Sequence, residues 1–341
     1  MKLHGGIDLH SNNSVVALLD EEDRVVYRKR LANDAGLVLE SLAPYREAIT
    51  GLVVESTYNW YWLVDALMDA GYRVHWVHLA NTAAIVQYSG LKYSDDDSDA
   101  AWLAKLLRLG LLPEGYIYPK EQRAVRDLLR RRSRLVQQHT ANVLAVQNLF
   151  SRNRGRSLSA NAIRRLTPES VGELLPDVHL ALAVQSTLLA MRGQEAAIDL
   201  LEHEACAQVK GRPEYRHLLS TSGIGQVLGL TILLETGPIE RFARVGNDAS
   251  YSRLVGSERL SNGKRKGRGN TKSGNKYLAW AYLEAANFAV RYNPAIKRYD
   301  QRKRAKTNGV VAIKTVAHKL ARACYYMLRE GTDFDVNRAF A

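Results

Sequence analysis

Three short β-rich runs crowd into the first 31 residues, at 2–9, 14–20 and 24–31, and they fix the sheet on which the rest of the N-terminal region must be built. The pattern VVALLDEEDRVVYRKRL has the polar break of a hairpin between two such runs. Behind it the period changes. A helix is expected over roughly 33–48, a strand at 51–55 and a helix at 58–70. The strand YRVHWVH at 72–78, a short helix from about 80 and an acidic helix over 96–109 follow. Three strands and then alternating helices and strands give a mixed sheet covered by helices, an α/β domain over residues 1–118.

Four acidic residues stand out on these elements: Asp8, Glu55, Asp96 and Asp99. Asp8 follows Gly5-Gly6-Ile7 on an otherwise apolar strand, where an unpartnered charge is costly to bury. Glu55 ends LVVE at the carboxyl edge, where open α/β sheets place their ligands. Asp96 and Asp99, in DDDSDAAWLAKLLRLG, are i,i+3 neighbours and share one helix face. The helix dipole favours acids at that end in any case. Asp95 and Asp97 leave the third carboxylate open, since Asp95 and Asp99 are i,i+4 neighbours. Taken together the set suits two hard cations, Mg2+ or Mn2+, held by oxygen ligands roughly 3.5–4 Å apart. The order of elements is that of RNase H-like nucleases, although spacing alone is explained nearly as well by a generic doubly wound α/β domain.

With 341 residues the chain is long enough for two or three domains. A formal net charge of +13 predicts attraction to polyanions, nucleic acid first among them. No apolar run approaches the roughly 20 residues of a membrane span, and MKLHGGIDLH reads as a strand rather than a signal peptide. The two cysteines, Cys206 and Cys324, fit neither a disulfide framework nor a zinc site, which points to a reducing cytoplasm.

After LPEGYIYP the pattern becomes helical, and an arm is expected over 119–212. Its first helix carries Val125, Leu128, Leu129, Leu135, Val136 and Val143 at helical spacings. Its polar side carries Arg123, Arg126, Arg130, Arg131, Arg132 and Arg134, with few acids between them, so phosphate contact by Arg126, Arg130, Arg131 and Arg134 competes with a merely solvated face. From 213 to 341 a mainly helical domain is expected. Gly223-Ile224-Gly225 between two apolar helices resembles a helix–hairpin–helix, whose amides can hold a phosphate, though a glycine turn needs no such role. From Ser261 to Leu278 the chain carries Lys264, Arg265, Lys266, Arg268, Lys272 and Lys276 and no acid. Glycines make this a pliable loop suited to closing on phosphates. It is not a P-loop, because the spacing fails at Gly269…Gly274-Asn275-Lys276. Ser261 at its edge is a turn residue or a nucleophile with no His–Asp relay nearby in sequence, and His318 reads as a core histidine.

The stretches GIDLHSNN, VVESTYNWYW, DDDSDAAWLAKLL, TSGIGQVLGLTILLETGPIERF and RLSNGKRKGRGNTKSGNKYLAWAYLEAANFA, continuing into RAKTNGVVAIKTVAHKLARACYYML, resemble transposases of insertion-sequence family one-hundred-and-ten (IS110), relatives of the Piv DNA invertase. The resemblance covers nearly the whole chain. It implies a RuvC-like domain with a DEDD metal site, a helical coiled-coil arm and a C-terminal transposase domain with a nucleophilic serine. By that match Asp8 and Glu55 take the first two acidic positions, Asp96 and Asp99 the D-x-x-D pair, and Ser261 the serine. It further implies a covalent phosphoserine–DNA intermediate, donor and target DNA as substrates, and a structured non-coding guide RNA that pairs with both. A homo-oligomer, dimer or tetramer, follows from the need to hold several DNA ends. The competing readings are a junction-resolving nuclease that uses metal-activated water and a non-catalytic nucleic-acid-binding protein.

Overall fold

The structure, a computed structural model, describes residues 1–56, 58–78, 96–256, 258–268 and 273–340. They form two compact units, Met1–Lys120 and Glu121–Ala341. Among the described residues no helix is long and apolar enough to cross a membrane.

The first unit is a six-stranded mixed sheet in the order β3-β2-β1-β4-β5-β6. Strands β1 (Leu3–Leu9), β2 (Asn13–Leu19) and β3 (Val25–Ala32) run antiparallel as a meander, while β4 (Ile49–Glu55) joins β1 in parallel and β5 (Val74–Val77) joins β4 in parallel. The central strands β1, β2 and β4 are buried almost end to end, which is why they read as continuous apolar runs. The outer strand β3 exposes most of its length and carries Arg28, Lys29 and Arg30, charges that discourage edge pairing.

Period-2 alternation sends the two sets of side chains to opposite faces. Leu3, Ile7, Val16, Leu18, Leu52 and Val54 pack against helices α1 (Ala35–Leu42) and α2 (Tyr61–Asp69). Val15, Ala17 and Val53 face helix α3 (Asp96–Arg108), through Ala100, Leu103 and Ala104. Gly6 makes this close packing possible: a Cβ there would lie 2.0 Å from the Ala100 carbonyl oxygen. The far end of α3 is pinned by Arg108, whose Nε and Nη2 donate to the two carboxylate oxygens of Asp23 at 2.7 and 2.9 Å.

The helix expected over 33–48 stops at Leu42 and gives way to a 3-10 turn, Ala43–Tyr45, where Pro44 cannot continue an α-helix. A two-residue strand, β6 (Glu114–Gly115), pairs antiparallel with β5 and was not expected from sequence. The short helix expected from about 80 lies outside the described residues.

In the second unit, α4 (Lys120–Arg154) and α7 (Val178–Ala207) form an antiparallel hairpin. Its direction is fixed by side-chain pairs that step in opposite senses: Arg132 to Glu202, His139 to Glu195 and Asn142 to Gln194. Two short helices, α5 (Ala160–Arg164) and α6 (Pro168–Leu174), close the tip over Val143, Val146, Phe150, Val184 and Leu188. At the base, Leu129 and Ala205 join the core of the helical remainder.

That remainder comprises α8 (Pro213–Leu219), α9 (Gln226–Thr236), α10 (Val245–Tyr251), a hairpin of β7 (Glu258–Ser261) and β8 (Lys264–Arg268), α11 (Lys276–Tyr292), α12 (Pro294–Lys306), α13 (Gly309–Glu330) and α14 (Val336–Phe340). Helix α9 is buried from Leu228 to Thr236, as its all-round apolar sequence requires. The turn at Gly223 (φ 92°) touches α11 so closely that a Cβ would lie 2.3 Å from the Ala285 carbonyl oxygen. Gly223 therefore serves both the turn and the packing of helices. The two cysteines are unbonded, Cys206 on α7 and Cys324 buried on α13.

Candidate functional site

Asp8 and Glu55 stand directly beside each other in the parallel register of β1 and β4, near the carboxyl ends of both strands. Both belong to the set of side chains that faces α3, and both are buried, at 7% and 5% exposure. Two buried carboxylates side by side repel. Glu55 is pushed up to about 7, first by burial and then by the charges of Asp8 and Asp99. Asp99, half-buried on the first turn of α3, thus belongs electrostatically to the same group.

The donor set fits a hard divalent cation: oxygen ligands, largely withdrawn from water, whose mutual repulsion a cation relieves. Among the described residues, no group of three or more His, Cys, Asp or Glu side chains stands close enough to hold a metal on its own. Asp96 opens α3 in the backbone, while its side chain and that of Asp97 lie outside the described residues, as does Asp95 altogether.

Around the acids lies a polar network that the sequence did not disclose. His10 Nε2 sits 3.1 Å from Asp8 Oδ2. The His10 carbonyl accepts from Asn33 Nδ2 at 3.0 Å and from Asn59 Nδ2 at 2.7 Å, and Ser56 Oγ donates to Asn59 Oδ1 at 2.6 Å. These bonds tie the end of β1 to segments following β3 and β4. The one available signal for His10 was its position two residues after Asp8, on the same side of an extended chain.

Ser261 ends β7 in the second unit and is exposed. It pairs with Lys264 across a two-residue turn in which Asn262 (φ 51°) and Gly263 (φ 70°) both take left-handed backbone. This is the Asn-Gly hairpin turn, so the basic segment expected to be a pliable loop is a β-hairpin over 258–268. Lys264, Lys266 and Lys276 are exposed. The side chains of Arg265 and Arg268, and the whole of Lys272, lie outside the described residues. The segment leaves through Gly274, whose carbonyl accepts two bonds from the Arg253 guanidinium at 2.8 and 3.0 Å.

The arginines of α4 divide into two sets. Arg131 and Arg134 are exposed, whereas Arg123 and Arg126 are buried at 4% and 8% exposure. Arg132 donates to Glu202. Arg130 donates from Nε and Nη2 to the two oxygens of the buried Glu235, at 2.6 and 2.8 Å, and its guanidinium lies 4.9 Å from the Tyr277 ring centre. Burial opposes the charge on Arg130, but the bond and charge of Glu235 outweigh it and its pKa is raised. Asn275 Nδ2 donates to the same glutamate at 2.7 Å, while its Oδ1 caps α11. Glu235 thus fixes both an arm arginine and the start of α11.

A transposase family model of the DEDD type for IS110 matches residues 5–152, and a second, for transposases of the IS116/IS110/IS902 family, matches residues 215–301. The chain belongs to the IS110 family of transposases. The first match spans the carboxylates and the second spans Ser261, its hairpin and the Gly223 turn. Curated relatives agree. A probable family 20 transposase of Pseudomonas aeruginosa is 27% identical over 62% of this chain and 65% of its own length. The transposase for insertion sequence element IS1111A of Coxiella burnetii is 28% identical over 50% of this chain and 48% of its own. An uncharacterized 43.6 kDa protein of insertion element IS110 from Streptomyces coelicolor is 25% identical over 54% of this chain and 49% of its own. The chain therefore spans between about half and two thirds of the length of these relatives.

Proposed function

We propose that this IS110-family chain is the transposase of an insertion sequence, a DNA recombinase with Asp8, Glu55, Asp96 and Asp99 as metal-holding carboxylates and Ser261 as nucleophile. The observation that carries the reading is the register match of Asp8 with Glu55, buried on the sheet face that α3 covers. A RuvC-like, RNase H-type first unit is part of the same reading, supported by the strand order and by α3 lying beside the acids.

Asp8, Glu55, Asp96 and Asp99 would hold Mg2+ or Mn2+, which would supply polarisation of the scissile phosphodiester and neutralisation of its developing charge. The chain's own groups do the remaining work. His10 against Asp8, with Asn33 and Asn59 on the His10 carbonyl, holds the strand end in one orientation. Ser261 Oγ attacks phosphorus. The Oγ–P bond forms as the bond to the leaving deoxyribose oxygen breaks, and the serine proton ends on that oxygen. The resulting phosphoserine–DNA ester conserves the bond for rejoining, and attack by a hydroxyl of the exchanged strand frees the serine. The exposed lysines beside Ser261 lie where a phosphate backbone would pass. Target choice is delegated to a non-coding guide RNA, with the protein reading shape and backbone. The assembly is a homo-oligomer, since several DNA ends must be held at once.

The test is strand exchange on DNA carrying the element's ends, with the RNA transcribed from those ends and a magnesium titration. Asp8→Asn and Glu55→Gln abolish cleavage while DNA binding persists, and Ser261→Ala abolishes exchange. Nicked ends without exchange from the wild type would instead assign a hydrolytic junction nuclease. Binding without any metal-dependent cleavage would leave only a nucleic-acid-binding protein.

A further inference from the structure

A cleft of about 280 Å³ opens in the second unit between α4 and the start of α11. Arg130, Arg132, Arg134 and Gln137 line it from α4, and Lys276, Tyr277 and Trp280 from α11. Its described lining includes no carboxylate. Two of its cations are already matched, Arg130 by Glu235 and Arg132 by Glu202. Arg134 and Lys276 are exposed, and the positive end of a 17-residue helix adds to their field.

The aromatic wall is built rather than incidental. Tyr277 is held between cations, with the Arg130 guanidinium 4.9 Å and the Lys276 ammonium 5.1 Å from its ring centre. Trp280, one turn further along α11, is 38% exposed. The buried Glu235 bonds both Arg130 and the cap residue Asn275, so cation and aromatic wall are fixed to one anchor. Exposed positive charge beside a partly exposed indole is the chemistry that takes a phosphate and an unpaired base together. A paired duplex cannot supply that base, because its faces are already stacked.

We propose that this cleft binds an unpaired nucleotide of a single-stranded nucleic acid, with the base stacked on Trp280 and its phosphate between Arg134 and Lys276. The proposal rests on the nucleic-acid reading above and deepens it by naming the form of nucleic acid that this part of the second unit takes. Single-stranded RNA and single-stranded DNA share this chemistry, and the test separates them.

The full-length protein is titrated with a 12-nucleotide single-stranded DNA, the matching RNA and the matching DNA duplex. The chain has five tryptophans, and Trp60, Trp62, Trp76 and Trp102 lie in the first unit, so the difference between wild type and Trp280→Phe isolates one indole. Stacking quenches that difference signal. Trp280→Ala weakens single-strand binding about tenfold, Trp280→Phe retains most of it, and duplex affinity changes less than about twofold. Arg134→Gln with Lys276→Gln lowers the salt slope for single strands by about 0.7, the share of the one phosphate they hold. The tighter of RNA and DNA names the source. Unchanged single-strand affinity in Trp280→Ala, or equal losses on single strand and duplex, overturns the proposal even if strand exchange proceeds. Failure of the wild type to bind any nucleic acid would overturn the reading beneath it as well.

Discussion

Glu235 is where a single substitution reports most on the second unit. Its carboxylate is 2% exposed and accepts two bonds from Arg130 and one from Asn275. Removing one partner of a buried ion pair costs about 3–5 kcal/mol, because the other charge stays behind without compensation. The two halves of this pair differ. Arg130 retains 31% side-chain exposure, so Glu235→Ala belongs at the lower end, about 3 kcal/mol. Arg130→Ala strands a carboxylate with almost no access to water and belongs at the upper end, about 4–5 kcal/mol. With both removed, the remaining loss is the acceptor for the Asn275 amide, about 1–3 kcal/mol. The double variant is therefore more stable than Arg130→Ala alone. Urea unfolding followed by circular dichroism tracks the mostly helical second unit, while tryptophan fluorescence, with four of five indoles in the first unit, serves as an internal control. Single losses below about 1 kcal/mol, or a double loss equal to the sum of the singles, would refute the reasoning.

Three further perturbations follow from particular contacts. Gly6→Val drives a side chain into the Ala100 carbonyl, so α3 must lift from the sheet; metal-dependent cleavage is lost and the first unit's fluorescence transition moves to lower urea. Gly223→Ala combines a left-handed backbone with a clash on α11 and destabilises the second unit by more than about 2 kcal/mol, read from the dichroism midpoint. Asp248, 1% exposed on α10, is pushed up to about 7 by burial, with Arg241 opposing. Because its folded value lies above its unfolded one, the stability it lends is complete below the usual carboxylate range and is lost as pH rises through about 7. The second unit should lose roughly 3 kcal/mol of this contribution between pH 5 and 8, and Asp248→Asn should flatten that dependence.

The order of elements was legible because short, near-continuous apolar runs broken by turns give way to apolar residues at helical spacing along the first hundred positions, and the strand bounds agree to within one or two residues. Strand β6 was not legible, since two residues carry no period; Gly115 is placed there by the Trp76 ring packed against it. Asp8 and Glu55 were legible as acids in apolar strands, and the parallel register puts them side by side. Asn33 and Asn59 were not, because each donates to the His10 backbone carbonyl from a position distant in sequence, while His10 and Ser56 were marked only by nearness to Asp8 and Asn59. The arginine run of α4 looked like one basic face. Helix periodicity marks which side an arginine occupies but not that Glu235, over a hundred residues away, waits opposite Arg130. In the basic segment the density of glycines hid the more informative Asn262-Gly263 pair, which makes a hairpin turn.

The most direct test of the account is a covalent trap. The protein is mixed with magnesium, RNA from the element's ends and a labelled DNA junction nicked near the exchange point, then denatured and digested for mass spectrometry. The account predicts a DNA adduct on Ser261 that is absent from Ser261→Ala and from Asp8→Asn. Metal-dependent cleavage with no adduct on Ser261 would contradict it.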